Sequence, residues 1–111
     1  MDLRNLKWSK AEKDVARRVF EAAYQKEYGA VAARLKEMVA TVLEPVALWE
    51  IHDYLSHQRE QMSKKYDYRY SVLPSVFAQL FKEGWISESD FKGLAQEKIE
   101  IIRQLAKFSG R

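Results

Sequence analysis

The residue types able to do chemistry crowd into one stretch of this chain, residues 44–70. It holds both histidines, His52 and His57, one of the three tryptophans, Trp49, and four of the six tyrosines. Asp53 and Arg59 stand among them, and the stretch runs on into Lys64-Lys65-Tyr66-Asp67-Tyr68-Arg69-Tyr70. Several chemistries can be tested against that set. Asp53 and His57, four apart on a helix, could share a metal ion, but His52 points elsewhere and no cysteine or third ligand completes a site, so no metal is expected. Ser56 lies four residues after His52, yet nothing supplies a strained nucleophile turn or an oxyanion hole. The four glycines are scattered, which removes a phosphate-cradling loop. Lys64, Lys65 and Arg69 interleaved with Tyr66, Tyr68 and Tyr70 have the composition of a nucleic-acid platform, weakened by Asp67 in its middle. A turn between two helices also needs aromatics simply to pack.

What remains is binding. At 100° per residue, Trp49, His52, Asp53 and Arg59 fall within an arc of roughly 120° on one helix. That arc borders an apolar stripe of Leu48, Ile51 and Leu55. Such an edge suits a protein–protein interface, with Trp and Arg as anchors and charges setting register. The same spacing also suits Asp53 and Arg59 as a surface ion pair with Trp49 in the core.

The elements that must position these residues read as helices. Residues 1–8 form a loose lead-in. Ser9-Lys10-Ala11-Glu12 is a capping box. It opens one helix running to about Leu43, with an apolar seam of Phe20, Tyr24, Tyr28, Val31, Leu35, Met38 and Val42. Gly29 near its middle marks a bend, a close crossing or a tolerated glycine. Pro45 suits the first turn of a second helix to about Lys64, antiparallel to the first. Its apolar face is Leu48, Ile51, Leu55 and Met62. A third helix spans about Ser71 to Lys82, with Pro74 in its first turn and Val72, Val76, Phe77, Leu80 and Phe81 packing. Gly84 caps it, Trp85-Ile86 form a buried link, and Ser87 to Asp90 open a short helix that Gly93 ends. A last helix spans about Gln96 to Lys107, repeating Ile99, Ile102, Leu105 and Ala106, with Ile101 and Phe108 at its edges, before Gly110. The expected fold class is all-α: a long antiparallel hairpin with a compact head of shorter helices. The organisation expected is one domain, 1–111, with hairpin and dimer region at 9–65 and head at 66–109.

Composition bounds the rest. At 111 residues, 47% hydrophobic and 32% charged, the chain is globular and of single-domain length. A chain this short buries only about two thirds of its unfolded surface. Helices so long would leave apolar stripes uncovered, so a homodimer is expected. The net charge of +3 comes from 19 bases interleaved with 16 acids, too mild and too mixed for a dedicated nucleic-acid binder. The lack of cysteine excludes disulfides and thiol chemistry. The first ten residues lack a signal-peptide core and no apolar run nears 18 residues, so a soluble, cytoplasmic protein is expected.

One resemblance joins these observations. Leu48-Trp49-x-x-His52-Asp53-x-Leu55-Ser56-x-x-Arg59 is followed by Lys65-Tyr66-Asp67-Tyr68-Arg69-x-Ser71-Val72. Val76-Phe77-Ala78-Gln79-Leu80, Glu83-Gly84-Trp85 and Lys98-Ile99 continue it, with an echo in Ala23-Tyr24-Gln25-Lys26-Glu27. With these motifs, over about residues 8 to 107, the chain resembles the fluorescence recovery protein family of cyanobacteria. The resemblance implies an all-α homodimer that holds no pigment or other cofactor and makes no bond. It implies action on the orange carotenoid protein, the blue-light-activated quencher of the phycobilisome antenna. Members bind its red form, chiefly at the C-terminal domain, speed its return to orange and promote its detachment from the antenna. The residues matching Trp49, His52, Asp53 and Arg59 are those tied to activity and to the dimer surface. Ser75 and Ile101 depart from the aromatic and the Lys that familiar members carry on the head, and Met62-Ser63-Lys64 replaces a more acidic link. Relatives also occur in bacteria without phycobilisomes, so the rival expectation is the same helical module with a different partner, with non-specific nucleic-acid binding through Lys64, Lys65 and Arg69 as the lesser one.

Overall fold

The structure, a computed structural model, describes residues 3–108. Its helices are α1 (Lys10–Ala40), α2 (Pro45–Lys65), α3 (Leu73–Glu83) and α4 (Gln96–Phe108), with 3-10 turns at Leu3–Asn5 and Glu88–Phe91. No strand occurs among the described residues. Gly110, read as the chain's terminator, lies outside them.

The Ser9 capping box forms as expected. The Glu12 amide donates to Ser9 Oγ at 3.1 Å and the Ser9 amide to Glu12 Oε1 at 3.0 Å. Helix α1 then runs 31 residues and stops at Ala40, short of the expected Leu43. The Thr41 hydroxyl donates to the Met38 carbonyl at 3.2 Å and satisfies a terminal acceptor. Pro45 then holds the preceding Glu44 extended, at φ −139° and ψ 156°, and starts α2. Helix α3 begins at Leu73 because residues 70–72 form a turn, its backbone closed from the Val72 amide to the Arg69 carbonyl at 3.0 Å. Pro74 sits in the first helical turn, where a missing N–H costs nothing. Gly84 ends α3 in the left-handed region at φ 89°. Glu88–Phe91 is a 3-10 turn where a short helix was expected, capped by the Ser87 amide on Asp90 Oδ2 at 2.8 Å.

The core lies at one end of the molecule. Val15, Ala16, Val19 and Ala23 of α1 pack with Leu73, Phe77 and Leu80 of α3, Phe91 of the 3-10 turn, and Ile102 of α4. The buried face of α1 is therefore one step round from the expected seam. Tyr24 and Tyr28 of that seam are 40% and 58% exposed. The face of α1 that meets the head is lined by Val15, Ala16, Val19 and Ala23, and the chain after the 3-10 turn comes close to it at Gly93, where a Cβ would lie 2.7 Å from Val15 Cγ2. Helix α2 contributes no buried residue at all in the single chain. Its expected apolar face is open, with Leu48 54% and Leu55 37% exposed.

Hairpin and head give an elongated body of 53 × 24 × 20 Å. The radius of gyration, 16.8 Å, exceeds the roughly 13 Å of a compact chain this long. Gly29 makes no close crossing in the single chain, since a Cβ there would meet nothing within 4 Å.

Candidate interaction site

Trp49, His52, Asp53 and Arg59 all project from α2 into solvent. Trp49 is 66% exposed, which rules out a core role for it within the single chain. His52 Nδ1 lies 3.5 Å from Asp53 Oδ1, with both side chains largely exposed. Such a surface pair contributes little to stability. Arg59 lines a groove of about 530 Å³ between the helices of the hairpin, together with Tyr24, Tyr28, Leu55, Met62 and Tyr66. The four residues thus occupy one open, apolar-edged face rather than converging on a pocket. No metal-binding group of acids and histidines occurs among the described residues.

At the end of α2, Lys65 and the tyrosines that follow it turn inward rather than lining a platform for nucleic acid. Lys65 Nζ donates to Glu27 Oε2 at 2.6 Å and to Glu83 Oε1 at 2.7 Å. Tyr66 donates to Glu27 Oε1 at 2.8 Å. Arg69 is held by Asp67 through a bidentate pair at 2.6 and 2.9 Å. Tyr66 and Tyr68 both stand edge-on to Phe20, at 5.4 and 4.8 Å. Tyr70 contacts Tyr68 and Trp8, and Arg17 stacks over Tyr68 at 3.8 Å. Lys65 and the aromatics lay residues 66–70 along α1, while Lys64 and Arg69 stay exposed and pair with Glu60 and Asp67.

Two buried ionic networks hold the frame, and periodicity gave no sign of either. In the first, burial disfavours the Lys65 ammonium, but its bonds to Glu27 and Glu83 outweigh that and raise its pKa. Burial likewise opposes the Glu83 carboxylate, and Lys65, Gln79 and Trp85 overcome it, holding the carboxyl below its usual range. Gln79 Nε2 reaches Glu83 Oε2 at 2.9 Å and Trp85 Nε1 reaches Glu83 Oε1 at 3.0 Å. Burial and then the bond to Glu27 push the Tyr66 phenol far up, so it stays a donor.

In the second network, Lys98 Nζ donates to Glu12 Oε1 at 3.1 Å and to the Lys7 carbonyl. The Ala95 amide donates to Glu12 Oε2 at 2.8 Å, and the Lys98 ammonium lies over the Trp8 ring at 5.1 Å. Burial opposes the Glu12 carboxylate, yet the Ser9 and Ala95 amides and Lys98 hold its pKa below the ordinary value. These partners lie far apart in sequence, 86 residues for Glu12 and Lys98. The available signal was compositional: Glu27, Lys65, Tyr66, Glu83, Trp85 and Lys98 all fall within the motifs that carry the family resemblance.

The fold is that of a small all-α protein, with a long arm that exposes Trp49, His52, Asp53 and Arg59 on α2 and a head that is well packed. A family model described as photoprotection regulator fluorescence recovery protein matches residues 8–106. The chain belongs to that family. It is 38% identical over 100 residues to the fluorescence recovery protein of Synechocystis sp. PCC 6803, covering 90% of this chain and 92% of that protein. The solved structure of the Synechocystis protein superposes with a TM-score of 0.88 at 38% identity, covering 91% of this chain and 99% of the other. That of the Fremyella diplosiphon protein gives 0.87 at 38% identity, again covering 91% and 99%. The all-α arm-and-head fold expected from the resemblance is therefore the fold of solved family members. No helix among the described residues is long and apolar enough to cross a membrane.

Proposed function

We propose that this chain is a regulator of the orange carotenoid protein. It binds the photoactivated red form, mainly at that protein's C-terminal domain, speeds return to the orange form and promotes release from the phycobilisome, in the cytoplasm. The observation that carries this reading is the family match, spanning residues 8–106 at 38% identity to a fluorescence recovery protein. The mechanism is conformational. The protein binds the path between two arrangements of its partner more tightly than either end, so no bond is made and no cofactor is needed.

The working form in this proposal is a homodimer, paired through the hairpin of residues 9–65, while the head of residues 66–109 meets the carotenoid protein. Support comes from α2. A helix of its length with no buried residue gains little from its own propensity, and most helical stability comes from packing an apolar face. Trp49, Leu48, Leu55 and the groove around Arg59 offer a second copy that face. Trp49 and Arg59 then act as anchors, with His52 and Asp53 setting register at the rim.

The test mixes the pure protein with the red form in darkness and follows the orange absorbance. Accelerated recovery is expected, and an unchanged rate overturns the reading. Ser75, exposed on α3, and Ile101 on α4 favour one rival, the same module serving another partner. In that case recovery is unaffected, and a pull-down from the native lysate retrieves a different protein.

A further inference from the structure

The Glu27–Lys65–Glu83 cluster does more than fasten one helix. It touches the arm and the head at once. Lys65 is the last residue of α2, Glu27 lies on α1, and Glu83 is the last residue of α3. Just before Lys65 on α2, Arg59, Met62 and Ser63 line the hairpin groove, and Tyr66 beyond it lines the same groove. On the other side, Glu83 and Gln79 line a separate groove of about 460 Å³ on the head, with Ser75, Ala78, Lys82 and Leu105. Glu83 thus belongs both to the cluster and to the head groove. Its two oxygens are shared out, Oε1 to Lys65 and Trp85, Oε2 to Gln79.

From this arrangement we propose that Lys65 and Glu83 form a latch coupling the pairing of the arm to the shape of the head groove. The proposal rests on the dimer reading above. A second copy seated on the arm fixes the end of α2 and so the position of the Lys65 ammonium. With the ammonium fixed, Glu83 is held against Trp85 and Gln79 is drawn along the groove wall. When the arm is unpaired, Lys65 is the side chain of α2 that ties it to the head, and Glu83, a third exposed, can trade the ammonium for solvent. Gln79 and Glu83 then rearrange together, because each is the other's partner. By linkage the effect runs both ways: whatever disturbs Glu83 in the head weakens pairing of the arm. Lys65 is a positioning residue in this scheme, acting on the groove through Glu83. The surroundings of the cluster suit a two-state element. Lys65 and Glu27 side chains are 9% and 11% exposed, so the ammonium stays with Glu27, while Glu83, at 34%, can move between the ammonium and solvent. Gln79 and Trp85 add donors that keep Glu83 oriented, and Tyr66 does the same for Glu27.

The test is a double-mutant cycle on the full chain, read as the dimer dissociation constant by sedimentation equilibrium. Glu83→Gln keeps the shape of the side chain and removes its charge at a site on the head. It is expected to raise the dissociation constant about tenfold, and Lys65→Met by at least as much. The two together are expected to match Lys65→Met alone, because Lys65→Met already removes the contact that Glu83→Gln weakens. Glu88→Gln serves as a control. It removes the head's Arg103 pair at 2.7 Å, which does not reach α2, and is expected to leave the constant unchanged. Far-UV circular dichroism establishes that each variant is folded, and Glu83→Gln alone decides the matter if Lys65→Met is not. A wild-type dimer whose affinity Glu83→Gln leaves unaltered overturns the latch and leaves the dimer standing. Additive effects in the cycle overturn it as well. A wild type that is monomeric at every concentration overturns both the dimer and the latch.

Discussion

Single side chains in this protein divide into those that face inward to hold the frame and those left facing out. Lys98 is of the first kind. Its side chain is 4% exposed and its charge is met by Glu12 and a carbonyl. Lys98→Met leaves the Glu12 carboxylate buried without its cation, a loss of roughly 3–5 kcal/mol. A fall in the urea midpoint with an unchanged slope checks that value. Acid acts on both networks. Glu12 and Glu83 both have folded pKa values below the ordinary 4.5, so the unfolded chain binds protons first as pH falls. Their contribution is complete above 4.5 and is lost as pH drops through the lowered folded values. Urea midpoints measured from about pH 7 to about pH 3 should fall only in the acid part of that range. Arg59 and Asp53 are of the second kind. Arg59→Leu or Asp53→Leu is expected to slow recovery of the orange carotenoid protein or raise the dimer dissociation constant, by about tenfold if either is an anchor. Wild-type rate and mass in both variants would remove them from the site.

Among the elements, the helix boundaries follow local chemistry closely, and the glycines show where local chemistry meets packing. Gly93 takes φ 105°, and a Cβ there would lie 2.7 Å from Val15 Cγ2 on α1. Backbone and contact both forbid a side chain, so Gly93→Ala should destabilise by about 1–3 kcal/mol. Gly29 is the opposite case, a helical glycine with open space around its Cα. Gly29→Ala should stabilise the chain by about 0.5–1 kcal/mol, and thermal melts of the two variants should move in opposite directions. A destabilised Gly29→Ala would place that point of α1 in tight contact with a second copy. The element read least well was the seam of α1. Two apolar stripes run along that helix, and the larger side chains, Tyr24 and Tyr28, drew attention to the outer one. The head instead packs on the stripe of smaller residues, Val15, Ala16, Val19 and Ala23.

At the scale of the whole molecule, stability is uneven. Among the described residues, the buried apolar side chains lie in the head and in the half of α1 that touches it, while the far half of α1 and α2 bury none in the single chain. If a second copy covers them, amide exchange in α2 should quicken as the protein is diluted, while exchange in α3 and α4 stays constant. Exchange in α2 that is slow and independent of concentration would mean that the single chain holds its own arm. The cluster at Glu27, Lys65 and Glu83 sits where these two regions meet, joining the ends of α2 and α3 to the middle of α1.

By itself the sequence determined the all-α class, the order of the helices, their caps at Ser9, Pro45 and Gly84, and the grouping of Trp49, His52, Asp53 and Arg59 on one arc of α2, but not that Trp49 is exposed. Those features are local. A capping hydroxyl, a fixed φ or a helical wheel needs only neighbours a few residues away. Which stripe of α1 is buried, and that Lys65 and Lys98 are internal cations rather than surface charges, only the tertiary structure decided. Their partners lie 38, 18 and 86 residues distant, and no periodicity within a helix records the sign of a charge that arrives from another.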